Sequence, residues 1–126
     1  MENKKIVQGK DISFNRKVLE SKKTRMLILS HTDKKDKLKQ RDSGLNQVLC
    51  KIARENNIIL AIDMNELKIE DKKTKAQILS RIMQNIKLIK KFKNNFRLLN
   101  YNNKEQAFSF LLSLGLPTDV AKRALN

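Results

Sequence analysis

The sequence has little of what builds disulfide-linked, zinc-bound or membrane-spanning proteins. Its 126 residues include one cysteine, Cys50, and one histidine. A single cysteine cannot form an internal disulfide and is typical of a reducing compartment, and these two residues leave a His/Cys zinc site short of ligands. No apolar run approaches the roughly 20 residues that cross a bilayer, and residues 1–9 lack the apolar stretch of a signal peptide. We therefore expect no membrane span and no metal or other cofactor bound by this chain.

Glycine, proline and aromatic residues are also scarce. Three glycines and one proline leave no long linker, so we expect a single domain over residues 1–126. Aromatic residues make up 5% of the chain and tryptophan is absent, which supplies few platforms for stacking single-stranded bases. The hydrophobic fraction of 40% is enough for one modest core.

Positive charge is what the sequence has in excess. Lysine and arginine total 28 against 13 acidic residues, a formal net charge of +15. Such an excess indicates a polyanionic partner, with nucleic acid as the first expectation and an anionic membrane surface as the second. Because aromatic residues are few, we expect contacts to phosphates and to nucleic-acid shape rather than readout of bases.

The hydrophobic pattern predicts strands that alternate with helices. Continuous apolar runs at 25–30 and 58–62 have the length of strands covered on both faces, and weaker strand patterns occupy 5–8 and 96–101. The order βαβαβαβαα indicates an α/β fold of about four parallel strands with crossover helices, which is half of a TIM-like barrel and leaves two open sheet edges. The helices are predicted at 12–21, at 45–53 after an N-cap at Ser43, at 74–92, at 104–114 and after Pro117.

Helical periodicity also predicts which side chains are buried. Cys50 lies beside the buried stripe of the second helix and is predicted to be a small packing residue. Gly115 is predicted to end the fourth helix in a left-handed conformation. The predicted stripes are Leu45, Val48, Leu49, Ile52 and Ala53 on the second helix, and Leu79, Ile82, Met83, Ile86 and Ile89 on the third.

The basic residues form two groups that could bind RNA. Either group could instead be a solvated face, and lysines also suit a helix C-terminus. Both groups exceed what the neighbouring acids can neutralise, which favours phosphate contacts. The first group is Lys34, Lys35, Lys37, Lys39 and Arg41; the second is Lys87, Lys90 and Lys91, followed by Lys93 and Arg97.

Three polar residues follow predicted strands at the end where barrel enzymes place their active sites. His31, Asp63 and Glu66 could in principle serve a metal-dependent hydrolase. One histidine is too few for the usual multi-histidine centre, so we expect His31 to be a hydrogen-bonded structural residue. For Asp63 and Glu66 we expect a solvated loop.

The segment Arg41-Asp42-Ser43-Gly44-Leu45-Asn46 lies between the second predicted strand and the second predicted helix. This segment resembles ribonuclease P protein component 3, most closely its archaeal branch. Asp42 or Ser43 is expected to cap the helix, and Gly44 is expected to serve backbone shape or close packing. Arg41 is expected to contact a phosphate. The resemblance covers the chain from about Met26 onward. The further matching stretches are 27–31, 78–81 with Asn85, and 114–125.

The resemblance implies a TIM-barrel-like subunit of the enzyme that removes 5′ leaders from precursor tRNA. In that enzyme the RNA holds the active site and uses Mg²⁺, so no catalytic residue is expected here. The implied partners are ribonuclease P RNA, protein component 2 and the other protein subunits, and precursor tRNA indirectly, in the cytoplasm. A general basic RNA-binding protein outside any dedicated complex is the further alternative.

The sequence departs from the family in two places. The family's N-terminal strands and helices are missing, and only residues 102–105 stand where the family carries a Ser-rich, Asp-Arg-Pro-like loop after 96–101. The chain therefore resembles the C-terminal half of component 3. It could be a reduced homologue, one half of a split barrel that finds its other half or self-associates, or an incomplete sequence.

Overall fold

The computed structural model describes residues 3–32 and 43–125. Four strands form one parallel sheet in the order β1-β2-β3-β4, which confirms the predicted α/β fold. In this register Leu27 of the second strand lies beside Leu60 of the third, and Ile62 lies beside Leu98 of the fourth. The strands are β1, Lys5–Gln8; β2, Thr24–Leu29; β3, Ile59–Asp63; and β4, Phe96–Leu99.

Helices connect each strand to the next, as parallel pairing requires. The first three helices lie between successive strands, and the last two follow β4. A 3₁₀ turn, Met64–Leu67, comes directly after β3. None of the helices in the described part of the chain is long and apolar enough to cross a bilayer. The helices are α1, Ile12–Glu20; α2, Gln47–Glu55; α3, Lys72–Phe92; α4, Lys104–Ser113; and α5, Thr118–Ala124.

The two faces of the sheet differ in burial. Leu27, Leu29 and Leu60 point to one face and are fully buried in a core shared with the helices. On the opposite face Met26 and Ile28 are only partly buried. The edges are β1 and β4, and no other strand within 3–32 and 43–125 pairs with either. The fold therefore has the strand number, edges and one-sided helix layer of half a barrel.

The buried face of α3 differs from the predicted stripe. Met83 is 47% exposed, whereas Ile78 and Ile82 are buried together with the polar Asn85. The helix is rotated so that Asn85 faces the interior, where its amide forms two hydrogen bonds. The spacing of apolar residues predicted a buried Met83, because such spacing does not reveal that a polar residue on the neighbouring side of the helix is buried.

The start of α2 also differs from the prediction. The N-cap is Asn46, whose side chain accepts a hydrogen bond from the backbone N–H of Leu49 at 2.9 Å. Ser43 is not the cap, because its hydroxyl donates to the Leu45 carbonyl at 3.2 Å. Val48 is 50% exposed rather than buried, and Cys50 is fully buried, which confirms its packing role.

Candidate functional site

A buried polar cluster lies at the carboxyl ends of β2 and β3. His31 follows β2 and is 0% exposed, and Glu66 lies in the 3₁₀ turn that follows β3. These strands are adjacent and parallel, so their carboxyl ends meet at one edge of the sheet. The two carboxylate oxygens of Glu66 accept the His31 backbone N–H at 3.1 and 3.2 Å, and one accepts the ring Nδ1–H at 2.7 Å. The expectation of a solvated loop was wrong for Glu66.

Asn85 on α3 completes the cluster from the other side. Its amide nitrogen lies 2.9 Å from His31 Nε2 and 2.9 Å from the Ser43 carbonyl oxygen. Because a carbonyl oxygen only accepts, the amide nitrogen must face Ser43, and its second hydrogen then points to Nε2. Nε2 is therefore an acceptor, and the ring carries its proton on Nδ1, where Glu66 holds it.

This arrangement makes His31 a structural residue, as predicted. Both ring nitrogens are engaged, so neither has a lone pair free for a metal. Asp63 makes separate contacts, accepting from the Asn65 backbone N–H and the Asn100 side chain at 2.9 Å each. Within the described residues no three His, Cys, Asp or Glu side chains come together as metal ligands. The geometry thus gives the hydrolase alternative no support.

The described part of the family-like segment is also structural. Gly44 has a φ of 75°, a left-handed conformation that glycine adopts without strain. Its carbonyl accepts from the side chain of the buried Asn15 at 2.8 Å, which ties the turn to α1. The structure therefore confirms the predicted backbone role of Gly44 and gives Asn46 a capping role. The remaining predicted RNA-binding and motif residues of this region, Lys34, Lys35, Lys37, Lys39, Arg41 and Asp42, lie outside the described residues.

The second basic group lies on the last turns of α3. Lys87, Lys90 and Lys91 are exposed, and within 3–32 and 43–125 none has an ion-pair partner. The negative end of α3 is served by another residue, because Arg54 Nη1 donates to the Phe92 carbonyl at 2.9 Å. The side chains of these lysines are therefore open to solvent in the last turns of α3, and their role in binding RNA stays a prediction.

Comparison with known proteins gives one sequence relative and one structural neighbour that bear on the function. No protein-family model matches the chain. Over 86 residues, or 68% of its length, the chain is 29% identical to ribonuclease P protein component 3 of Methanococcus vannielii, of which it covers 35%. This chain is similar to an archaeal ribonuclease P protein.

The structural comparison agrees with the sequence comparison. A chain in the cryo-EM structure of archaeal ribonuclease P with mature tRNA matches 94% of this chain with a TM-score of 0.75 and 22% identity. The match covers 52% of that chain, so the present sequence spans about half its length and about a third of the curated relative. The partial barrel-like fold implied by the resemblance is thereby confirmed.

Proposed function

We propose that this protein is a subunit of ribonuclease P that supports the catalytic RNA in removing 5′ leaders from precursor tRNA. The observation that carries the proposal is the fold, which matches a chain of the archaeal enzyme over 94% of the present chain. The independent similarity to component 3 and the net charge of +15 support it.

The proposed mechanism is neutralisation of RNA phosphates by basic side chains. Exposed lysines such as Lys87, Lys90 and Lys91 offer positive charge and form no ion pair within the described residues. Each phosphate that they neutralise releases counterions, so affinity should fall steeply with salt. RNA helices held together in this way need less Mg²⁺ to form the active site, which lies in the RNA. The same role is proposed for Lys34, Lys35, Lys37, Lys39 and Arg41.

The partners follow from the same proposal. We propose ribonuclease P RNA as the direct partner, precursor tRNA as an indirect one, and component 2 and other subunits as protein partners, in the cytoplasm. The chain corresponds in this proposal to one half of a component 3 barrel. The partly buried sheet face that carries Met26 and Ile28 is where a further half, from another chain or a second copy, would pack.

The experiment is to tag the protein in its native cell, crosslink it and sequence the RNA that copurifies. One dominant structured RNA together with precursor tRNA is the expected result. A broad spread of RNAs would favour a general basic RNA-binding protein, and no RNA would refute both functions.

A second test uses charge reversal in the first basic group. Replacing Lys35, Lys39 and Arg41 by glutamate should reduce activation of the RNA in a reconstituted enzyme while leaving Tm close to that of the wild type. An equal loss of thermal stability would show that these residues serve folding instead.

A further inference from the structure

A cleft of about 750 Å³ opens at the end of the sheet opposite the His31 cluster. It lies where β3 and β4 begin, between the last turn of α3 and the start of α5. Apolar residues such as Ile59, Ile89 and Val120 form part of its lining. The backbone at its base is fixed to the sheet, since the Asn95 carbonyl accepts from Leu60 N–H at 2.9 Å.

Four cationic side chains from three elements line this cleft. Lys90 and Lys93 come from the end of α3, Arg97 from β4 and Arg123 from α5. The only acid among the lining residues in the described structure is Asp119, whose carboxylate lies 3.4 Å from Arg123 Nη2. That pair is largely exposed, with side chains 72% and 76% accessible, so water screens it and an anion can compete for the guanidinium.

The fold fixes where these cations leave the backbone around the cleft. Lys93 has a φ of 53°, which ends α3 and turns the chain into β4. Lys90 Nζ lies 3.4 Å from the point where a Cβ on Gly115 would stand, so its ammonium sits beside the turn that leads to α5. Arg97 lies in β4, in register with Ala61 of β3. The cleft thus gathers positive charge from residues 33 positions apart in sequence, Lys90 and Arg123.

We propose that this cleft binds the phosphodiester backbone of RNA. The choice of RNA as the polyanion rests on the proposed function. Arginine provides a planar fork for phosphate oxygens, and the lysines provide point charges beside it. Lys87 and Lys91 continue the positive surface along α3 at helical spacing, so the backbone can run from the cleft along the helix. A continuous track of this kind suits a polymer better than a free phosphate ion.

The test compares two variants that remove the same charge from different places. Lys90→Gln with Arg123→Gln removes two cations of the cleft. Lys72→Gln with Lys75→Gln removes two exposed cations from the first turn of the same helix, at its other end. The probe is a labelled transcript of ribonuclease P RNA, and affinity is measured over a range of salt concentrations.

The cleft variant should bind the probe at least about 10-fold more weakly than the wild type. The plot of log K against log salt should become less steep, its slope decreasing in magnitude by about 2. The control variant should stay within about 2-fold of the wild type. Equal losses of affinity in the two variants would show diffuse electrostatic attraction and overturn the proposal. Wild-type affinity in the cleft variant would overturn it as well.

The outcomes separate this proposal from the proposed function. If the wild type binds the transcript tightly and both variants behave alike, the cleft fails while the subunit role stands. If the wild type prefers unrelated RNAs, the subunit role fails, and the two variants are then compared on tRNA transcripts. Unchanged RNA affinity with loss of a copurifying acidic protein would assign the cleft to that protein and overturn the proposal. No RNA binding by the wild type would refute both.

Discussion

Replacing Glu66 by glutamine keeps the size of the side chain but removes the carboxylate that holds His31. The carboxylate accepts the His31 backbone N–H through both oxygens and the ring Nδ1–H through one. A glutamine has one acceptor oxygen, so its amide group must face one of these two donors. Because Asn85 holds the ring from the other side at 2.9 Å, the ring cannot turn away without losing that bond too.

The cost follows from the hydrogen bonds that are lost. A hydrogen bond to a charged group contributes about 1.5–3 kcal/mol. The Glu66 side chain is 14% accessible, so water can satisfy part of what is lost. We therefore expect a destabilisation of about 2 kcal/mol. At about 2.1 cal/mol/K of unfolding entropy per residue, this lowers Tm by roughly 8 °C for a chain of 126 residues.

Urea and thermal unfolding followed by far-ultraviolet circular dichroism measure the effect. Asp119→Asn is the matched control, because it removes a carboxylate from an exposed ion pair and should cost less than about 1 kcal/mol. If Glu66→Gln unfolds within about 0.5 kcal/mol of this control, the cluster does not support the fold, and the reasoning is refuted.

Four further predictions concern packing, capping and titration. Ile82→Ala should lower the free energy of unfolding by about 2–5 kcal/mol, because the Ile82 side chain is fully buried. Met83 is 47% exposed, so Met83→Ala should lower it much less. Equal losses in urea unfolding would contradict the orientation of α3. Asn46→Ala should cost about 1 kcal/mol by losing the cap of α2, also measured by urea unfolding. Burial raises the pKa of the Cys50 thiol to about 12, so alkylation by iodoacetamide at neutral pH should require unfolding; rapid reaction of the native protein would contradict this. Hydrogen bonds from the Thr74 side chain and backbone lower the pKa of Asp71 below its usual 3.8. The carboxylate of Asp71 therefore stabilises the folded state above pH 3.8, and this stabilisation is lost as the pH falls through the folded pKa. Asp71→Asn should flatten the acid side of the curve of Tm against pH.

The sequence by itself determined the architecture and predicted the class of partner. Alternating apolar runs and helical stripes predict βα units, because parallel strands need crossover helices to connect them. Gly115, with a φ of 94°, ends α4 as expected, because glycine adopts this conformation without a Cβ clash. The net charge of +15 indicates a polyanion without any knowledge of structure.

Tertiary structure decided which polar residues meet. Glu66 lies 35 positions from His31, and Asn85 lies 54 positions from it, so local pattern could not pair them. The same cluster decided which face of α3 is buried, since a hydrogen-bonded asparagine can occupy the interior in place of an apolar side chain. The cleft likewise brings Arg123 of α5 together with Lys90 at the end of α3. Local spacing sets the elements of a chain, but contacts between distant segments form only when packing brings those segments together.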